Sequence, residues 1–516
     1  MENIDGSVSD PKYEVCIVGC GASGGVLAYQ CALAGLNTVV IDSGDLLDDS
    51  YFTNLLMQVK PASSKNSPFD RKSEKLLQVD VDPEFNHYSI NKVNGLQNLW
   101  GGVSLRFSEA DFVEGDWPIT YSELAPFYDE IEELIGVTGN CDGLSDLPDG
   151  KFIQPFPYSS LDKHIVGKIR SKCPLITTIA NRKAVETRPN RKNTCLQCGM
   201  CQNGCSTGSV YKFTSRLLPQ ISKLSNFVLM PNTLVQKLLV DSNGDISGVL
   251  CSGNGSKLEK IITSKIFVIS SGALNTPKLL LESRSLAYPH GISNNNRSVG
   301  KGLMDNPNVV IAAIFPSMFF RKIDRESGYG NHILIPDIGG DGVKQLVDVY
   351  HGNSKLFPMF RASMPWFIPD FLLHFIIRRV AICLIFSPAD PENKNSIAMK
   401  NDGTFLIKHS FSEREVSQLA SMDRRARQLF SKIGGFVLGS YPGRPGDSIH
   451  YAGTCRMGKD STQSVVDINL QSHEHRNLFI CDGSVFPSLP EKHPTLTIMA
   501  LAARLSLHIH SKLRSC

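Results

Sequence analysis

Two histidines near the end of the chain are the side chains best suited to move a proton near neutral pH. They are His450, in Ser448-Ile-His-Tyr-Ala-Gly-Thr-Cys-Arg-Met-Gly458, and His493, in Glu491-Lys-His-Pro-Thr-Leu-Thr497. An unperturbed imidazole titrates near ~6.5, so either could serve as acid or base. A second set, Val15-Cys-Ile-Val-Gly-Cys-Gly-Ala-Ser-Gly24, has the glycine spacing of a dinucleotide cradle at Gly19, Gly21 and Gly24, with Ala22 and Ser23 between. The first glycine permits a tight turn, the second lets backbone approach a pyrophosphate, and the third lets helix pack on strand. A third set is the run Cys195-Leu-Gln-Cys-Gly-Met-Cys-Gln-Asn-Gly-Cys205. Thiolates spaced this way at Cys195, Cys198, Cys201 and Cys205 can ligate an iron–sulfur cluster or zinc, or stand free.

These residues need elements to hold them. Tyr13 to Val18 alternates and then runs apolar, as a buried parallel strand does. A helix is expected over roughly Gly25 to Ala34, stopping at Gly35, with its N–H groups turned to phosphate. A second strand, Asn37 to Ile41, ends in Asp42 and Ser43, where an acid binds a ribose hydroxyl. Strand, glycines, helix, strand and acid in order are a stronger signal than the glycines alone. The acid suits NAD and FAD equally. Between the histidines, Asn477-Leu-Phe-Ile-Cys-Asp-Gly-Ser484 reads as a short strand running into a turn, so the two ends of the chain are expected to build one site.

The chain has 516 residues, 41% hydrophobic and 20% charged, as an ordinary folded enzyme with ample core does. A net charge of +3 and the lack of a basic run with interleaved aromatics argue against nucleic acid. The acidic, polar start Met1–Asp10 is not a secretory signal. Cys16, Cys20 and Cys31 fall within the cradle, where a disulfide would distort it, so a reducing cytoplasm is expected. No stretch spans a bilayer. The nearest, Trp366 to Phe386, is broken by Pro369, Asp370, His374, Arg378 and Arg379 and reads as a buried helix followed by a core strand. His473 and His475 lie in a polar turn and are expected at the surface.

Four further segments, with the cradle, resemble the glucose–methanol–choline (GMC) family of FAD-dependent oxidoreductases along almost the whole chain. Gly95-Leu-Gln-Asn-Leu-Trp-Gly-Gly-Val103 is similar to the family's glycine-rich stretch beside the flavin ring. Asp116-Trp-Pro-Ile-Thr-Tyr-Ser-Glu-Leu-Ala-Pro-Phe-Tyr128 resembles the loop and helix that follow in the sugar-oxidising branch. Ser271-Gly-Ala-Leu-Asn-Thr-Pro-Lys-Leu-Leu-Leu281 is similar to the second family motif, and the fourth segment is the block holding the histidines.

The resemblance implies FAD, with Trp100, Gly101 and Gly102 against the ring, Val235 touching the adenine through its backbone, and Asp482 with Gly483 near the ribityl or pyrophosphate. Pro494 and Thr495 would open a final helix whose N–H groups face the pyrimidine edge. His450 aligns with the main catalytic histidine and His493 with its partner. Some relatives attach flavin through a histidine immediately before the tryptophan. Leu99 stands there, so FAD is expected to be non-covalent. A second departure is Asp305-Asn306-Pro307, where a histidine commonly replaces the asparagine.

The fold class expected is α/β: a Rossmann-like three-layer FAD-binding domain from 10–135, 190–307 and 440–516. The second, substrate-binding domain, 136–189 and 308–439, is expected to be an antiparallel sheet backed by helices. There Ala398 to Lys400 and Thr404 to Lys408 read as a hairpin, and Ser412 to Ile433 as a helix. The expected reaction is oxidation of a small-molecule alcohol to the carbonyl, on a sugar, cyclitol, polyol or glycoside, including aminoglycoside-type sugars. A long-chain alcohol or sterol is the alternative, with the apolar stretch Pro365 to Phe375 bordering its pocket. A nicotinamide dehydrogenase would share the cradle, and a non-catalytic flavin-binding electron-transfer module would not need both histidines. Oxygen, a quinone or a protein could accept the electrons; an iron–sulfur cluster at the four cysteines would favour the last two.

Overall fold

The computed structural model describes residues 12–46, 79–199, 201, 205, 207–253, 259–323, 332–339, 342–351, 357, 361, 364–392 and 394–515. The N-terminal Met1–Asp10 segment and Gly204, on which the sequence reading drew, lie outside them.

Five parallel strands run in the order Leu478–Ile480, Ser264–Ile269, Tyr13–Val18, Thr38–Ile41 and Phe227–Met230. Their side chains are mostly buried on both faces, which is why they read as apolar runs rather than alternating ones. One face carries the helices Ala22–Leu33, Thr495–Arg514 and Tyr121–Ile135. The other carries an antiparallel sheet of Thr233–Val240, Ile246–Gly253 and Glu259–Ile262. The expected three layers are thus present, and strands from both ends of the chain sit two places apart in one sheet.

A second sheet has six antiparallel strands: Phe436–Pro442, Asn308–Ile314, Val380–Phe386, Leu346–His351, Ile333–Ile335 and Ile179–Ala180. Helices Ser160–Lys172 and Glu413–Lys432 bury Ile165, Ile169, Met422 and Phe430 against it. Ser412 caps the longer helix in a reciprocal pair with Glu415, as its sequence predicts. Buried Asp162 ties the shorter helix to His332, just before the strand Ile333–Ile335, at 3.1 Å, and to His351 in Leu346–His351. Burial alone would raise the Asp162 carboxyl, but His351 and His332 hold it well below the ordinary carboxylate range. The expected hairpin pairs Ser396–Met399 with Phe405–Lys408, yet Ile397, Phe405 and Ile407 pack into the cofactor-side core.

Two expectations fail here. The segment before Val380–Phe386 is not a buried helix: Asp370–Ile377 buries only Leu373 and Ile377 and leaves Phe371, Leu372 and Phe375 exposed. The strand after it is the core strand expected. His475 is not at the surface but 1% exposed, with Nδ1 on the Gly244 carbonyl at 2.7 Å. A polar turn in sequence does not reveal that it packs under the Asp241–Asp245 turn.

The cradle is held by backbone against backbone. A Cβ on Gly24 would lie 2.0 Å from the Gly19 carbonyl oxygen, and Gly19 itself, at φ +94°, sits where a Cβ would strike Ser270 backbone. Gly24→Ala must therefore push the helix off the strand. We expect it to cost about 1–3 kcal/mol in denaturant unfolding and to lower the FAD content of purified protein. Wild-type values for both would contradict the packing.

Candidate active site

A cavity of about 1470 Å³ runs between the parallel sheet and the six-stranded sheet. It exceeds the ~300–1,000 Å³ common for a single small ligand, so a dinucleotide and a substrate both fit. Gly19, Gly21, Ala22, Ser23, Asp42 and Ser43 line one end, with Val235 nearby. Trp100, Gly101, Asp482, Gly483, Pro494 and Thr495 line the rest together with both histidines. Gly24 and Gly102 do not line it. Gly24 serves helix packing, as above. Gly102 is needed for its φ of +88° and for a carbonyl that accepts from the Ala184 N–H at 2.7 Å, not for room beside a ring.

The residues present fit FAD. A Cβ on Gly21 would meet only one atom, 4.0 Å away, so the backbone there is open to a ligand. The helices beginning at Tyr121, Ser160 and Glu413 have capping boxes, whereas those beginning at Ala22 and Thr495, beside the cavity, have no side-chain cap. Their leading N–H groups are left for an anion and for polar ring atoms. Asp42 accepts from Cys20 N–H at 2.8 Å and Gly44 N–H, while burial pushes it up to about 6. Asp482 accepts from Gly272 N–H and Thr276 Oγ1, bracing the C-terminal block against the turn after the central strand Ser264–Ile269. Lys278, which the sequence reading missed, is 3% exposed and also lines the cavity. Burial pushes its amine down to about 8, and its Nζ has an Asn275 Oδ1 contact of 3.4 Å. A phosphate would complete its coordination.

The histidine rings meet edge to face with centroids 4.7 Å apart, and Phe386 packs on both. His450 Nδ1 lies 2.9 Å from Asn306 Oδ1. The Asn306 amide donates to the Ser387 and Pro490 carbonyls at 2.9 and 2.8 Å, which fixes its oxygen toward the imidazole. Nδ1 of neutral His450 therefore carries the hydrogen, and Nε2 is left as the acceptor. Burial, then the neighbouring His493, hold His450 well below its ordinary value. The unusual Asn306 thus has a physical role: it selects a tautomer.

Asp305 works on the backbone instead. Its carboxylate accepts from the N–H groups of Ser448 at 3.2 Å and His450 at 2.7 Å, bracketing Ile449. Ile449 has φ +59°, a strained conformation for a β-branched residue. Burial pushes Asp305 up to about 8, against the pull of these N–H bonds.

His493 is held by a residue that nothing local in sequence marks. Its Nε2 donates to Asp348 Oδ2 at 2.8 Å, and Asn181 Nδ2 donates to the other carboxylate oxygen at 2.8 Å. Asp348 is fully buried in the strand Leu346–His351. Trp117 does not reach the cavity: it is a core residue whose Nε1 donates to Ser488 at 2.9 Å. The stretch Pro365–Phe375 does not line it either.

Cys195, Cys201 and Cys205 pack with Val185 and Val210 in a small cluster. Among the described residues, no group of three or more histidine, cysteine, aspartate or glutamate side chains is disposed to hold a metal. The iron–sulfur expectation for Cys195, Cys198, Cys201 and Cys205 gains no support. The sulfurs instead take local hydrogen bonds, Gln197 N–H to Cys195 at 3.3 Å and Ser209 N–H to Cys205 at 3.2 Å.

Residues 180–308 and 396–502 match the GMC oxidoreductase family. The chain belongs to that family. It is 25% identical, over 99% of its length and 94% of the relative's, to 6'''-hydroxyparomomycin C oxidase of Streptomyces lividus. It is 24% identical to the fructose dehydrogenase large subunit of Gluconobacter japonicus, covering 95% of this chain and 96% of that one. The fold is shared with pyridoxine 4-oxidase from Mesorbium loti, at a TM-score of 0.67 and 17% identity, covering 97% and 99% of the two chains. This GMC protein is an FAD-dependent oxidoreductase acting on CH–OH groups.

Asp348→Asn keeps the shape but removes the carboxylate that orients His493. We expect substrate-driven bleaching of the flavin to slow about tenfold to a hundredfold, as loss of a histidine's outer partner does elsewhere, with FAD content unchanged. An unaltered rate would make the contact purely structural.

Proposed function

We propose that the protein oxidises a hydroxyl of a sugar, cyclitol, polyol or glycoside, aminoglycoside-type sugars included, to the carbonyl, with non-covalent FAD. The observation that carries this reading is the pair of opposed imidazoles, each held by a buried partner, at a cavity that takes both cofactor and substrate. His450 Nε2 takes the hydroxyl proton. His493, its Nε2 given to Asp348, stands beside the same oxygen and limits which C–H can be presented for oxidation. Bound FAD supplies the hydride acceptor, at N5. Phe386 closes one side of the histidine pair and keeps water from it.

The polar side chains Asn308, Tyr350, Asp447 and Ser448 line the cavity near the histidines, which suits a substrate with several hydroxyls. The activities for which the Streptomyces and Gluconobacter relatives are named support the same class. Long-chain-alcohol oxidases of Arabidopsis thaliana are also relatives, at 24% identity or less. The apolar stretch that would favour such a substrate is turned away from the cavity. A non-catalytic flavin carrier would not need two histidines with assigned donors and acceptors. A cytoplasmic setting is part of this reading, supported by Cys16, Cys20 and Cys31 standing unpaired inside the cradle.

Anaerobic mixing with a panel of sugars, cyclitols, polyols and long-chain alcohols tests the proposal by the bleaching of bound flavin. We expect the polyhydroxylated members to reduce it and His450→Ala to slow reduction by about 10²–10⁴-fold with FAD still bound. Because burial and His493 lower the His450 pKa, the base stays unprotonated as pH falls. The rate should hold through ~6.5, the ordinary histidine value, and decline only at more acid pH. Reduction by long-chain alcohols alone, or a wild-type rate in His450→Ala, would contradict the reading.

A further inference from the structure

The outward face around Asp370–Ile377 has no role in the chemistry above. Trp366, Phe367 and Phe371 are 86%, 69% and 76% exposed, and Phe320 on the adjoining turn is fully exposed. Leu372 and Phe375 extend the same face. Single exposed apolar side chains are ordinary, but six on two segments joined by the Phe319–Phe375 ring contact mark a contact surface.

The group is held in place. Arg379 lies 3.6 Å above the Phe375 ring and donates to the Met318 carbonyl at 3.1 Å and the Phe375 carbonyl at 2.7 Å. This fastens the helix to the turn Pro316–Met318. Arg361 donates to the Pro365 and Trp366 carbonyls at 3.1 and 2.8 Å and pairs with Asp370 at 2.9 Å. The aromatic side chains are therefore presented outward by a built framework.

Their rim is basic. Segments 316–323 and 361–379 hold Arg321, Lys322, Arg361 and Arg378, besides the buried Arg379, against the single acid Asp370, which Arg361 already pairs. Arg321, Lys322 and Arg378 border a groove of about 600 Å³ beside Phe371 and Phe375. Aromatic and aliphatic side chains beside arginine and lysine are the composition of a segment lying in the membrane–water boundary. Spanning is a different matter: no described helix is long and apolar enough to cross a bilayer. A symmetric contact with a second copy would set this basic rim against itself, which like charges oppose.

We propose that this face docks the protein on an anionic lipid bilayer. Trp366, Phe367 and Phe371 enter the headgroup–acyl boundary, and Arg321, Lys322 and Arg378 meet lipid phosphates.

The test uses full-length holoprotein sedimented with phosphatidylcholine vesicles and with vesicles of equal phosphatidylcholine and phosphatidylglycerol. Binding should favour the anionic vesicles, weaken with added salt, and move tryptophan emission to the blue. The double variant Trp366→Ser/Phe371→Ser should weaken it by about tenfold or more, and Arg321→Gln/Lys322→Gln should remove the lipid preference. Both keep their flavin absorbance, which separates lost docking from lost fold. The proposal is overturned by failure to bind either vesicle, by equal binding of the aromatic variant, or by a concentration-dependent dimer that this variant dissolves.

Discussion

Everything at this site depends on three neighbouring parallel strands whose backbone groups have nowhere to go but one another. Tyr13–Val18 is buried on both faces, so its amides and carbonyls must be paired by strands on both edges. Ser264–Ile269 pairs with it, and Leu478–Ile480 pairs with Ser264–Ile269 in turn. That ladder sets Asp482 within reach of Gly272 and Thr276 and brings the histidine block over the glycine cradle. Backbone pairing, rather than any side-chain contact, makes one site out of segments more than four hundred residues apart.

The second sheet supplies what the first cannot. The cofactor-side elements carry His450 and His493, but each ring takes its orientation from a buried residue on or beside the second sheet: Asn306 just before the strand Asn308–Ile314, and Asp348 within Leu346–His351. Because each partner is itself fixed by a further hydrogen bond, neither ring can rotate without leaving a buried polar group unsatisfied. The strained backbone at Ile449 belongs to the same device. Asp305 holds it in place by accepting from the N–H on either side. Shifting the two sheets relative to each other would disturb tautomer and position together.

Much of this was legible in the sequence where a residue type has one physical use. Glycines spaced for a turn, a phosphate approach and a helix contact announced the cradle, and motif context singled out His450 and His493. What could not be read were partners defined only in three dimensions. Asp348 sits within the strand Leu346–His351, 145 residues from His493, with no local pattern to mark it. Asn306 stood out as a departure, but its use appears only once its amide is seen donating to two carbonyls. The same limit explains the misread surface: apolar periodicity in Trp366–Phe375 shows that a face exists, and cannot tell an inner one from an outer one. Gly102 follows Trp100 and Gly101 in the ring-side motif, but it serves backbone conformation, at φ +88°, rather than the ligand.

The most direct test of the account is a crystal structure of the protein with FAD bound. It should show the pyrophosphate on the Gly19–Gly24 backbone, and the isoalloxazine between Trp100–Gly101 and the two imidazoles, with His450 still on Asn306. A flavin ring that lies away from His450 and His493 would contradict it.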